Sequence, residues 1–303
     1  MRTLAVAAVV AQAGIAVTGS VVRVTGSGLG CPTWPQCYPG SLVPVAHPET
    51  QALTQWIEFS NRLLTFLVVI VAGACFVAAL ATRPRRTRLT LLALVQPLGV
   101  VAQAVIGGMT VLLQLVWWSV AVHFIVSMVM VWLAVQLVAA AGDGGGEVRP
   151  LVPRSVRGLI ATSTAVLAGL VVAGTFVTAA GPHAGDARTP RLDLPVEALA
   201  QLHADLLFAY LGMLVALGFT LRAIEAPPVL RRRFGVLVAT VVAQGVLGIT
   251  QYALGVPEAL VSLHVLGAAL VTVGAAALWA GTTERPHGAT PQATPAELAP
   301  TRA

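Results

Sequence analysis

Two apolar stretches of this chain repeat one another, and each ends on a histidine. Ala102–His123 and Ala243–His264 align without a gap at an offset of 141 and share Ala, Gln, Val, Gly, Leu, Val and His at matching positions. A histidine inside a membrane is costly and usually marks a functional site. Because internal repeats build their sites from equivalent positions, the pair predicts a pseudo-symmetric metal or heme site.

The composition is that of an integral membrane protein. Hydrophobic residues make up 57% of the 303 residues and charged residues only 10%, against roughly 25% charged in a soluble domain. The net charge of +6 comes entirely from arginine, since the chain has no lysine. Arginines beside membrane helices set topology and contact anionic lipid, so this charge predicts a lipid bilayer as partner and no nucleic acid.

Apolar runs predict eight spans, each long enough to cross ~30 Å of hydrocarbon at ~1.5 Å per residue. They are Leu4–Val22, Leu53–Ala81, Leu89–Leu113, Trp117–Ala140, Val156–Ala179, Val196–Leu221, Phe234–Leu254 and Glu258–Gly281. The predicted fold class is therefore an all-α integral membrane protein.

Arginine placement orients the spans. One alternating set of loops, together with both termini, carries most of the arginines, whereas the opposite loops hold only Arg23, Arg188 and Arg191. The positive-inside rule then predicts a multi-pass protein of the cell membrane with both termini cytoplasmic. The first apolar run also resembles a cleaved signal peptide, but it continues past the candidate cleavage site, which favours a membrane span.

A loop rich in Gly, Pro and Arg divides the chain into two halves. We predict an N-terminal half over 1–141, a cytoplasmic linker over 142–155, a C-terminal half over 156–281 and a disordered tail over 282–303. The repeat extends to other spans, with Asn61 opposite His203 at an offset of 142, and Gly19-Ser20 resembling Gly174-Thr175. Four spans per half predict parallel copies, arranged as two pseudo-symmetric four-helix bundles.

Four polar side chains are expected at one depth. Asn61, His123, His203 and His264 each lie ~9–12 Å below the outer surface at ~1.5 Å per residue. An interhelical hydrogen bond is the usual role of a lone membrane histidine, yet histidines on two facing helices suit heme ligation better. His203 and His264 predict a six-coordinate heme in the second half. The first half has only His123 opposite Asn61, which predicts a more open site.

Two further residues of the second span carry charge. Glu58 and Arg62 have the spacing of an i,i+4 ion pair. Glu58 is equally a candidate proton acceptor beside a heme edge, and Arg62 a candidate partner for a heme propionate.

Cys31 and Cys37 lie in the first outer loop, on the side where disulfides persist. A bridge between them is feasible either as a structural staple or as a redox pair.

These features together resemble the heme A synthase family. The resemblance rests on eight spans in two halves, the loop segment GSVVRVTGSGLGCP over residues 19–32, the cysteine pair, and the three membrane histidines. It also includes Glu58-x-x-Asn61-Arg62, where the family usually has Glu-x-x-His-Arg.

The resemblance implies a reaction and a set of ligands. The C8 methyl of heme O would be oxidised through a hydroxymethyl stage (heme I) to the formyl group of heme A, for use in terminal oxidases. Heme b would be the cofactor on His203 and His264, and the substrate heme would lie near His123 and Glu58. A heme O synthase in the same membrane and an electron acceptor would be partners.

Asn61 departs from the family pattern. Either His123 is the only protein ligand of the substrate heme, which leaves the other face open, or the activity is altered. A membrane electron-transfer protein and a heme transporter remain alternative functions. A heme prenyltransferase is disfavoured because aspartates are few and scattered.

Overall fold

The computed structural model describes residues 1–48 and 50–286. This part of the chain forms eight long helices and one pair of two-residue strands. In chain order the elements are α1 (Arg2–Val24), α2 (Ala52–Ala81), α3 (Thr87–Leu112), α4 (Trp117–Gly142), β1 (Arg149–Pro150), α5 (Arg154–Ala180), α6 (Val196–Ala223), α7 (Pro228–Ala253), α8 (Glu258–Ala280) and β2 (Thr283–Glu284).

The predicted all-α membrane fold is confirmed. Each of the eight helices has 23 to 30 residues and is apolar enough to cross a membrane, and each coincides with one predicted span. The largest difference is at α7, which begins at Pro228 rather than Phe234. Proline is favoured in the first turn of a helix, so α7 extends through its arginines beyond the apolar run from which the span was predicted.

The predicted tail begins inside the folded chain. Thr282 is buried, and β2 pairs antiparallel with β1, with Arg149 opposite Glu284. This pairing attaches the end of α8 to the linker between the halves. The rest of the predicted tail, from His287, lies outside the described residues.

The halves meet through α1, α4, α5 and α8. The amide of Gln136 on α4 donates to the backbone oxygen of Ala276 on α8 at 3.1 Å. Met128 and Val131 of α4 pack against Ala269 of α8 in a shared apolar cluster. Hydrogen bonds between membrane helices are modest individually, so apolar packing carries most of this contact.

Side-chain size differs between the two cores. The inner core of the first half consists mostly of alanine, with Cys75, Leu89 and Leu137, whereas the second is built from Tyr210 and many leucines and valines. Small residues let membrane helices approach closely. In the first half, α2 packs closely on α3, and α1 packs closely on α4. The corresponding pairs of the second half, α6 with α7 and α5 with α8, approach each other at few positions.

Two outer turns have the same backbone. Before α4, Gln114 and Leu115 have φ of 57° and 58°; before α8, Gly255 and Val256 have φ of 75° and 62°. The hydrogen bonds repeat as well, from Leu115 N to Thr110 O at 2.9 Å and from Val256 N to Gln251 O at 2.8 Å. A left-handed backbone is uncommon for residues other than glycine and is least favourable for a β-branched residue such as Val256. Because the same conformation recurs at matching positions, the sequence repeat extends to these turns.

Candidate heme sites in the two halves

The second half brings two imidazoles close together between its helices. The ring centroids of His203 on α6 and His264 on α8 lie 6.4 Å apart, with 59° between their planes. Two imidazoles ligating one metal through nitrogens at ~2 Å, with ~1 Å from nitrogen to ring centre, would have centroids about 6 Å apart. The observed spacing therefore suits one iron between the rings.

The orientation of His203 also suits ligation. Its Nδ1 lies 3.0 Å from the backbone oxygen of Leu170 on α5, so an N–H at Nδ1 donates to that carbonyl and leaves Nε2 free. Histidines that bind metals are commonly oriented by such a bond from the other ring nitrogen. His264 differs, because its Nδ1 is buried and has no hydrogen-bond partner within the described chain.

Glycines on the preceding helices make room for the imidazoles. A Cβ added at Gly174 would lie 3.1 Å from Cε1 of His203, and one at Gly248 would lie 3.1 Å from Cε1 of His264. Real Cβ contacts are rarely this short, so a larger residue at either place would displace the ring.

The first half repeats one of these arrangements. A Cβ at Gly107 on α3 would lie 3.2 Å from Cε1 of His123 on α4, and the Nδ1 of His123, like that of His264, is buried without a partner among the described residues. Below each histidine a glutamine binds its backbone oxygen, Gln103 to His123 at 3.1 Å and Gln244 to His264 at 2.8 Å. His123 and His264 therefore have closely similar surroundings.

Asn61 has a different environment from His203. Its Oδ1 accepts a hydrogen bond of 2.7 Å from the hydroxyl of Thr18 on α1, and that hydroxyl also lies 3.1 Å from the backbone oxygen of Ile15. A Cβ at Gly19 would be 3.9 Å from Nδ2 of Asn61, an ordinary contact. The amide of Asn61 therefore leaves a wider gap to Gly19 on α1 than the imidazole of His203 leaves to Gly174 on α5.

Glu58 lies one turn before Asn61 and is 5% exposed. Its Oε1 accepts from Nε and Nη2 of Arg62 at 3.1 and 2.5 Å, and its Oε2 accepts from the backbone N–H of Cys31 at 2.7 Å. A carboxylate oxygen has more than one lone pair, so Glu58 is a fixed carboxylate that keeps further acceptor capacity.

Arg62 fastens the first outer loop to α2. Besides Glu58, it donates to the backbone oxygens of Thr33 at 3.0 Å, Gln36 at 3.2 Å and Cys31 at 2.7 Å. All five N–H donors of the guanidinium are therefore engaged. The predicted contact to a propionate stays a prediction, and it would require one of these bonds to break.

The first outer loop covers the outer end of the first half. The predicted bridge between Cys31 and Cys37 is present, with S–S 2.01 Å, and both residues are fully buried. Trp34, between the cysteines, lies on Gly108 of α3, where an added Cβ would be 2.4 Å from the indole. The second half has Ile249 at the equivalent position, which removes the space for such a ring.

A heme is a better fit than a metal ion bound by protein ligands alone. Among the described residues, no group of three or more His, Cys, Asp or Glu side chains is placed to hold a metal ion. A porphyrin supplies four ligands itself and needs only one or two axial side chains. The pair His203 and His264 has the ring spacing to provide both.

The eight helices and the candidate sites belong to a chain that matches a known protein family over most of its length. Residues 2–276 match the model of the COX15-CtaA family, described as cytochrome oxidase assembly protein. The chain belongs to this family. The eight apolar helices described above lie within or next to the matched residues.

Two curated proteins to which this chain is similar are named heme A synthase. The chain is 32% identical over 98 residues to that of Geobacillus kaustophilus (strain HTA426) and 30% identical over 98 residues to that of Geobacillus thermodenitrificans. Each match covers 32% of this chain and 29% of the relative. The chain thus matches less than a third of the length of these relatives.

The sequence analysis missed several residues that the structure places at the sites. Thr18 contacts Asn61, the Leu170 carbonyl orients His203, and Trp34 covers the first half. Gly107 and Gly248 were visible as matching positions of the repeat, but nothing in that alignment indicates that they face imidazoles.

Proposed function

We propose that this family member is a heme A synthase that oxidises the C8 methyl of heme O to a formyl group through the hydroxymethyl stage, heme I. The observation that carries the proposal is the unequal pair of sites. The second half has two facing imidazoles with centroids 6.4 Å apart. The first half has one imidazole and a fixed carboxylate beneath a disulfide-closed loop.

In the second half, His203 and His264 hold heme b. His203 is oriented by the Leu170 carbonyl, and the backbone of His264 is held by Gln244. A heme held by these two histidines would supply one-electron transfer. The large side chains beneath this site keep α6 and α7 apart, which leaves room for a rigid planar group at the outer end.

In the first half, His123 binds the substrate heme and Glu58 accepts a proton released from the oxidised carbon. Positioned proton acceptors contribute ~10²–10⁴-fold to rates. Arg62 holds the Glu58 carboxylate in one position, so it acts as a positioning residue. The loop containing Trp34 limits access of water from the outer face.

The proposal includes a cellular arrangement. Residues 1–141 form the substrate half and 156–281 the cofactor half, in the cell membrane with both termini cytoplasmic. Heme O comes from a heme O synthase in the same membrane. Water supplies the oxygen atom of the formyl group, the electrons removed from the methyl carbon pass to an electron acceptor, and the protons leave through Glu58. The outer cysteine pair, which is bridged here, agrees with an oxidising compartment on that side.

The test is the heme content of the detergent-purified protein after co-expression with a heme O source. Low-spin heme b together with heme I or heme A, found by extraction and chromatography, is the expected result. Heme b alone, with heme O supplied and unchanged, would instead identify a membrane electron-transfer protein. Protein free of heme would contradict both sites.

A further inference from the structure

The two sites differ at position 61, which is Asn where the second half has His203. They also differ at a neighbouring residue on the first helix of each half. Gly19 lies on Asn61 and Gly174 lies on His203, which aligns α1 with α5 at an offset of 155. At that offset Ile15 corresponds to Leu170. These are the two residues whose carbonyls face position 61 and position 203 respectively.

The carbonyls reach their partners differently. In the second half the imidazole of His203 binds Leu170 O directly at 3.0 Å. In the first half the Thr18 hydroxyl stands between, 3.1 Å from Ile15 O and 2.7 Å from Oδ1 of Asn61. The residue that corresponds to Thr18 is Ala173, which is buried. The second half thus combines a small alanine with histidine, and the first half combines threonine with asparagine.

We propose that Thr18 is a positioning residue that separates position 61 from the carbonyl that would orient a ligating histidine there, so that with Asn61 in place a heme in the first half is held by His123 alone. Its hydroxyl holds Asn61 by the amide oxygen and lies where the equivalent of the Leu170 carbonyl would orient an imidazole. The proposal rests on the proposed heme site of the first half and adds the residue that sets its ligand state.

The geometry gives Thr18 two effects. It fixes the amide of Asn61, and amide side chains are not among the usual axial ligands of heme iron. It also stands between position 61 and the Ile15 carbonyl, the counterpart of the carbonyl that orients His203, and the loss of such an orienting bond typically costs ~10–100-fold in affinity. Asn61→His alone therefore leaves the first-half iron mainly with one histidine, whereas Thr18→Ala with Asn61→His rebuilds the second-half arrangement.

The experiment uses full-length protein carrying its heme b, to which one equivalent of hemin is added. Electron paramagnetic resonance and absorption spectra give the spin state of the added ferric iron, and His123→Ala identifies the fraction bound at the first-half site. The variants are Thr18→Ala, Asn61→His, the double change Thr18→Ala/Asn61→His, and Thr18→Val/Asn61→His, which keeps the volume at position 18 without the hydroxyl.

The expected result is high-spin added heme in the unaltered protein, in Thr18→Ala and, for most of the protein, in Asn61→His. Thr18→Ala/Asn61→His should make most of it low-spin, and Thr18→Val/Asn61→His should resemble Asn61→His. Complete conversion by Asn61→His alone would overturn the proposal, as would a high-spin double variant with heme bound.

A mirror change in the second half provides a matched control. Ala173→Thr, which places a hydroxyl beside the Leu170 carbonyl while His203 is kept, should turn part of the low-spin heme b high-spin; heme b that stays fully low-spin there would contradict the role assigned to position 18. Unaltered protein that takes up no hemin at His123 would overturn the proposed function and this inference together. Hemin bound at His123 with a spin state indifferent to position 18 would overturn only the inference.

Discussion

The two halves share a ligand position on their fourth helix and differ at the one on their second. His123 and His264 each have a close glycine, a glutamine on the backbone oxygen and a buried Nδ1 without a partner within the described chain. Opposite them stand Asn61, held by Thr18, and His203, held by a carbonyl. The repeat thus keeps a histidine at one candidate ligand position and differs at the other, as the proposed function requires for a permanent cofactor on one side and an exchangeable substrate on the other.

The packing differs in the same direction. In the first half, with its alanine-rich core, α2 lies close to α3 and α1 close to α4, whereas the corresponding pairs α6–α7 and α5–α8 of the second half meet at few positions. The first half also carries a covering loop fastened by Arg62 and the disulfide. The halves therefore differ in how closely these helix pairs approach and in whether a loop covers the outer end.

The largest expected effect is loss of heme b from one half only. His203→Ala or His264→Ala should weaken heme b binding by more than the ~10–100-fold that changing a supporting residue costs, while His123→Ala should leave it bound. Heme per protein in the purified sample, by pyridine hemochromogen, is the measurement. Equal heme loss in all three variants would break the comparison between the halves.

Next in size is the change Glu58→Gln, which keeps the shape of the side chain. Formation of heme I and heme A should fall by ~10²–10⁴-fold because the proton acceptor is removed, with heme b content unchanged. Extracted hemes are quantified by chromatography, and thiol labelling checks that the disulfide is intact. Asp205→Asn is the control, since that exposed carboxylate binds only Gln201. If the Glu58→Gln variant made heme I and heme A at the normal rate, the role of Glu58 would be only to hold the first outer loop.

A smaller effect is expected from the glycines. Gly174→Ala places a Cβ 3.1 Å from His203, whereas Gly19→Ala places one 3.9 Å from Asn61. The first should cost about 1–3 kcal/mol through overpacking and shift the heme b spectrum, and the second should change neither. Thermal unfolding in detergent and reduced-minus-oxidised spectra give both quantities. A larger loss of stability from Gly19→Ala than from Gly174→Ala would show that the first half, and not the second, is packed more tightly at this position.

The smallest effects concern the two glutamines. Gln244→Ala removes one hydrogen bond, to His264 O, and Gln103→Ala removes two, to His123 O and to Ser127 at 2.5 Å. Hydrogen bonds between membrane helices average about 0.6 kcal/mol each. Unfolding midpoints should therefore fall slightly, and further for Gln103→Ala. An equal or inverted order would show that the glutamines do not support the two histidines in the same manner.

The amino-acid sequence by itself determined the spans, the repeat and the candidate ligands. Long apolar runs can only be helices in lipid, because each backbone polar group must be satisfied within its own segment, and a histidine is conspicuous there. The repeat paired His123 with His264 and Asn61 with His203. The helix starts were less certain, as at α7, since helices continue past the membrane edge.

Only the tertiary structure decided what surrounds those ligands. Thr18 next to Asn61, Trp34 on Gly108 and the three bonds from Arg62 to loop carbonyls are contacts between segments distant in the chain. The spacing of the helices is likewise a collective result of core side-chain volumes, which no local pattern reports. Hydropathy and periodicity record which residues avoid water, but the state of a ligand depends on the neighbours that folding brings to it.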